Sequence, residues 1–111
     1  METPLEIIFT DTDPSPAAEG HIRERVQRLE RRFDRITSCH VYVASPHRQH
    51  RKGNPYEVRI ELRVPGTELV VANQPGDVHA HDDLYIAVRD AFAAMESQLE
   101  EWKGKVQDPR S

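Results

Sequence analysis

The residues best suited to chemistry in this sequence are a row of cationic side chains. His21, Arg25, Arg28, Arg32 and Arg35 recur at steps of four, three, four and three, so on an α-helix turning about 100° per residue they share one face. Guanidinium groups in such a row offer planar pairs of donors that match phosphate oxygens two at a time. A helix that needs only solubility usually mixes charge signs for pairing at four-residue spacing. Here Glu19, Glu30 and Asp34, with Arg23, fall on the opposite flank. Two readings follow: a solvated face that is merely basic, or a row that reaches the backbone of structured RNA and recognises shape rather than base sequence. A second basic group, Arg48, Arg51 and Lys52 in the segment from Pro46 to Gly53, would either widen that phosphate footprint or serve as a solubilising loop.

Other constellations are weaker. His47 and His50 share the same segment, and His79 and His81 stand near Asp77, Asp82 and Asp83. A His-x-His pair can ligate zinc or nickel, but this spacing fits no structural zinc pattern, so no metal and no other cofactor is expected. His79 and His81 instead suit the turn into a helix whose N-terminus is favoured by Asp82 and Asp83. The sequence holds no glycine-rich phosphate loop and no nucleophile motif, so no catalytic residue is assigned and the protein is expected not to be an enzyme. Cys39 falls on the apolar side of an alternating run, where packing is the ordinary role of a thiol. Trp102 ends an apolar stripe and reads as core.

These side chains must be positioned by a small molecule. A chain of 111 residues supports one modest core. No apolar run approaches the roughly 18 residues of a membrane span, and Met1-Glu2-Thr3-Pro4 lacks the basic start of a secretory signal. A single cysteine forms no internal disulfide, which suits the reducing cytoplasm. The formal net charge of −4 taken alone weighs against nucleic acid, because affinity for phosphate backbones comes from Lys and Arg displacing counterions. The distribution of the charge points the other way. Residues 21–35 hold six Arg against Glu24, Glu30 and Asp34, and residues 47–63 hold five Lys or Arg against Glu57 and Glu61, a net +3 in each. Residues 1–20 carry five acids and no base, and residues 75–101 seven acids against Arg89 alone. An electrically two-sided molecule is expected.

The elements follow from periodicity. Leu5, Ile7 and Phe9 alternate in a first strand. Ser15-Pro16 is a capping serine followed by proline at the first helical position. Ala18, Ile22, Val26, Leu29, Phe33 and Ile36 then form one helical stripe. Cys39, Val41 and Val43 mark a second strand, and Tyr56, Val58, Ile60, Leu62 and Val64 a third whose other face, Glu57, Arg59, Glu61 and Arg63, is wet. Pro65-Gly66 turns the chain into a fourth strand, Thr67 to Ala72. A second helix is expected from about Asp83, capped near Asp82, with Leu84, Val88, Ala91, Phe92, Met95, Leu99 and Trp102 on its apolar face and Gly104 at its end. The predicted fold is α+β: a β-α-β-β-β-α two-layer sandwich, its four-stranded sheet covered by both helices on one face. Residues 1–105 are expected to form the domain and residues 106–111 a linker-like tail.

Two phrases stand inside this order: Arg25-Val26-Gln27-Arg28-Leu29-Glu30-Arg31 in the first helix, and Asp83-Leu84-Tyr85-Ile86-Ala87-Val88 opening the second, continued by Met95-Glu96-Ser97-Gln98-Leu99. Over residues 5–105 the sequence resembles the bacterial ribosome hibernation-promoting factors, also called ribosome-associated inhibitor or protein Y. The second phrase looks like that family's Asp-x-Tyr-x-Ala-Ile signature. The resemblance implies a module that sits in the tRNA and mRNA channel of the small ribosomal subunit and silences idle ribosomes under stress, with no membrane and no small-molecule substrate. Arg25, Arg28 and Arg31 fall on positions that are basic in the family's first helix; Arg32 and Arg35 extend the row, and Arg48, Arg51 and Lys52 are the further candidates for rRNA contact. The second helix departs from the pattern, with Ala94, Ser97 and Glu101 where relatives carry Lys or Arg. The chain also looks like a subgroup in which this domain precedes a cold-shock-type RNA-binding domain, so a C-terminal domain of that kind, or a dimer partner, is implied outside this chain. A general double-stranded RNA binder and a His-dependent metal-binding protein are the alternatives.

Overall fold

Alternation in the strands and a 3.6-residue period in the helices place every long apolar run on one side of its element. The computed structural model describes residues 4–45, 56–73 and 84–107. Its order is β1 (Leu5–Thr10), α1 (Pro16–Arg32), β2 (Ser38–Ala44), β3 (Glu57–Val64), β4 (Thr67–Asn73) and α2 (Leu84–Gln107). The four strands lie side by side in chain order. β1 and β2 are parallel because α1 carries the chain back between them; β2, β3 and β4 are antiparallel. The register aligns Ile7, Val41, Ile60 and Val71 in one row across the sheet, and Leu5, Cys39, Leu62 and Leu69 in the next. Both rows face the helices. Ile22, Val26 and Leu29 of α1 and Val88, Phe92, Met95 and Leu99 of α2 close over them in one core, which is the two-layer sandwich expected from the sequence.

Local chemistry sets the element ends. The Ser15 hydroxyl accepts a hydrogen bond from the Ala18 amide at 3.2 Å, with Pro16 at the first helical position, so an otherwise orphaned donor is satisfied. At the other end the structure departs from the periodicity. Phe33 leaves helical geometry as the C-cap, and its amide closes on the Leu29 carbonyl at 2.8 Å. Phe33 is still buried and Ile36 half-buried, so the apolar spacing continues after the helix has stopped. The chain must turn there to bring Cys39 into register with Leu5 of β1, and the Thr37 amide donates to the Arg63 carbonyl at the sheet. Arg35 therefore lies in the connecting turn and not on the helix.

Gly104 does not end α2, which runs through it to Gln107. Glycine in a helix costs about 1 kcal/mol relative to Ala, too little to stop a helix anchored by buried Leu99 and half-buried Trp102. An ion pair from Lys105 to Glu101 at 3.6 Å spans the same turn. Val106 and Gln107, the first residues of the expected tail, continue α2, and residues 108–111 lie outside the described residues. The expected cap residues Asp82 and Asp83 lie outside the described residues. No helix among the described residues is long and apolar enough to cross a membrane.

Pro65 and Gly66 join β3 to β4 with Val64 opposite Thr67, and Gly66 has φ +87°. That is the second central position of a turn that puts Pro first and requires positive φ next. A Cβ at Gly66 would meet nothing within 4 Å, so Gly66→Ala carries backbone strain alone. It is expected to lower unfolding free energy by about 1–2 kcal/mol, measured as a shifted urea midpoint with unchanged slope.

Candidate nucleic-acid interface

The cationic row of α1 lies along the crevice between the two helices. His21 stacks on Tyr85 of α2, ring centroids 4.1 Å apart and planes 18° from parallel. Three turns further along, Arg32 donates to Glu96 and, at 2.5 Å, to Glu100. His21–Tyr85 and Arg32–Glu96 are both 64 positions apart, so the helices run parallel and in step. That common offset puts Arg25 at the level of Arg89. On the helical wheel Arg25, Arg28 and Arg32 stand on the α2 side of α1, and Arg31 points further outward.

The candidate residues differ in what already holds them. Arg25 is half-buried; Arg28, Arg31, Arg32 and Arg35 are exposed. Arg28 pairs with Glu24 one turn before it at 3.0 Å, an exposed contact of the kind that contributes little and is easily exchanged for a phosphate. Arg32 is held differently, by two carboxylates from another element, and the Glu100 hydrogen bond leads the causes that raise its pKa. Glu96 and Glu100, from the later part of the acidic stretch, therefore pack beside the basic helix in the same layer. Charge separation is incomplete at this end, because chain connectivity brings α2 next to α1. Sequence patterning does not show that Glu96 and Glu100 meet Arg32; their four-residue spacing is the one available signal. Glu96→Gln together with Glu100→Gln is expected to free Arg32 and raise affinity for RNA phosphates several-fold at low salt, with a steeper salt dependence. A filter-binding titration with structured RNA reads both.

Arg48, Arg51 and Lys52 lie outside the described residues, as do His47, His50, His79, His81, Asp77, Asp82 and Asp83 of the metal reading. Ala94, Ser97 and Glu101 sit on an exposed flank of α2, as the stripe predicts. Cys39 is fully buried, and burial, helped by the charge of Glu30, pushes its thiol up to about 12. It is a protonated, unreactive core residue. Burial, and after it the charge of Arg25, lowers the pKa of His21 and so favours the neutral imidazole in the stack.

Over residues 5–107 the chain matches a known family model, described as Sigma 54 modulation protein / S30EA ribosomal protein. The chain belongs to this family. Among curated relatives, the Ribosome hibernation promoting factor of Azotobacter vinelandii is 32% identical over 93 residues, covering 84% of this chain and 76% of the relative. The Ribosome hibernation promotion factor of Bacillus subtilis is 29% identical over 92 residues, covering 83% of this chain but 44% of that longer protein. Two solved structures share the fold. A ribosomal subunit interface protein from Coxiella burnetii superposes with a TM-score of 0.73 at 20% identity, covering 92% of this chain and 99% of the other. The Protein Y N-terminal domain of Thermus thermophilus gives 0.68 at 18%, covering 91% and 99%. The shared fold thus spans about nine-tenths of this chain.

Proposed function

We propose that this protein binds the small ribosomal subunit beside the tRNA and mRNA channel and there keeps idle ribosomes out of translation under stress. The observation that carries the proposal is the arginine surface of α1, Arg25, Arg28 and Arg31, in a chain whose curated relatives are ribosome hibernation factors. Guanidinium groups along one helix reach successive phosphates of a folded RNA without reading its bases. The protein acts by occupying a site and not by chemistry, and it works in the cytoplasm where ribosomes are. Residues 1–105 are the binding module. Arg35 in the turn after α1, and Arg48, Arg51 and Lys52, extend the contact to neighbouring rRNA.

Competition tests the site. Vacant small subunits should bind the protein, and subunits preloaded with mRNA and tRNA should bind it far more weakly. Equal binding to loaded and vacant subunits would move the site away from the channel.

A further inference from the structure

We propose that the cleft between the first turns of α1 and α2, walled by the stacked rings of His21 and Tyr85, receives one unpaired nucleobase of ribosomal RNA. The inference rests on the small subunit being the partner, and it adds a base contact to a surface otherwise suited to phosphates.

Tyr85 is the exposed large hydrophobic side chain among the described residues, 57% accessible. It lies off the apolar stripe of α2, so core packing does not explain it. Its ring is nonetheless held in place, because His21 stacks on it from the neighbouring helix. A fixed aromatic plane at the surface is a stacking platform that accepts any base, since every base has a π-face. Beside it is a cleft of about 180 Å³ lined also by Ser15, Ala17, Ala18, Leu84 and Val88. It is smaller than the roughly 300 Å³ at which drug-sized pockets begin, and its walls are mostly apolar, so it suits a flat heterocycle better than a phosphate or a peptide segment.

The rim supplies the rest of a nucleotide's needs. Arg25 stands one turn after His21 and Arg89 one turn after Tyr85, both on the crevice side. Arg89 shares its charge with Asp90 at 3.2 Å, and both are surface side chains. Cations on both banks flank the path of the sugar-phosphate chain on either side of an inserted base. The Nε2 atom of His21 is buried with no hydrogen-bond partner among the described residues.

The experiment compares wild type, Tyr85→Phe and Tyr85→Leu on purified small subunits across a salt titration. Tyr85→Phe keeps the ring and should bind within about twofold of wild type. Tyr85→Leu should lose on the order of tenfold with an unchanged salt slope, because no phosphate contact is removed. Equal binding by Tyr85→Leu, or equal loss in both variants, overturns the proposal. A second arm uses adenine and uracil RNA hexamers beside an abasic hexamer, followed by NMR of the His21 and Tyr85 ring signals. The base-bearing hexamers should shift those signals and the abasic one should not; no shift, or the same shift from all three, overturns the cleft even if a Leu variant folds poorly. Ring shifts with base-bearing RNA in a protein that ignores small subunits would keep the cleft and remove the proposed partner. Normal subunit binding with a neutral Tyr85→Leu and silent rings would do the reverse.

Discussion

Changing Arg25, Arg28 and Arg31 together to Ala should lower affinity for small subunits on the order of a hundredfold near physiological salt and flatten its salt dependence, with little change in stability. Each guanidinium that meets a phosphate releases counterions, so removing three contacts should reduce the slope of log affinity against log salt by about 2–3. None of the three sits on the core stripe; Arg28 and Arg31 are exposed and Arg25 is half-buried beside it. Their loss should move unfolding free energy by no more than about 0.5 kcal/mol each. Arg32→Ala is the informative comparison. That side chain is already occupied by Glu96 and Glu100, so its removal should cost less binding than loss of Arg28. A triple variant that binds as wild type, at every salt concentration, would take α1 out of the interface.

The second large effect runs in the opposite direction. Ala94→Lys, Ser97→Arg and Glu101→Lys together add positive charge to the exposed flank of α2, where Glu101 pairs with Lys105 at 3.6 Å. If α2 faces the subunit alongside α1, affinity at moderate salt should rise on the order of tenfold and decline more steeply as salt increases. The fold should tolerate the change, since all three positions are exposed and Lys and Arg are good helix formers. Duplex RNA serves as the control. A gain on subunits that exceeds the gain on duplex RNA places α2 at the ribosomal surface. An equal gain on both reports only added positive charge.

Periodicity makes most of the fold legible. The strict alternation of β3, the Ser15-Pro16 start of α1 and the apolar stripe of α2 each have one physical outcome, and together they leave one layered arrangement. The departures fall where spacing is blind to backbone direction. Phe33 and Ile36 keep the helical rhythm while the backbone has already turned toward β2, so spacing alone carries Arg35 one turn too far along a helix that ends at Arg32. Gly104 reads as a terminator in isolation but is carried inside α2 by the packing of Leu99 and Trp102. The candidate interface is half legible. Its cations declare themselves by spacing within one helix, whereas the Tyr85 stack on His21 and the hold of Glu96 and Glu100 on Arg32 are contacts between helices 64 or more positions apart. Such contacts follow from the sheet order that sets the two helices side by side, and no local pattern encodes them.

Co-sedimentation with purified small subunits, large subunits and free duplex RNA, over a range of salt, tests the ribosomal assignment most directly. Selective retention on small subunits, persisting at a salt concentration that strips the protein from duplex RNA, is the predicted result. Equal retention on all three, lost in parallel as salt rises, would contradict it and leave a generic phosphate binder.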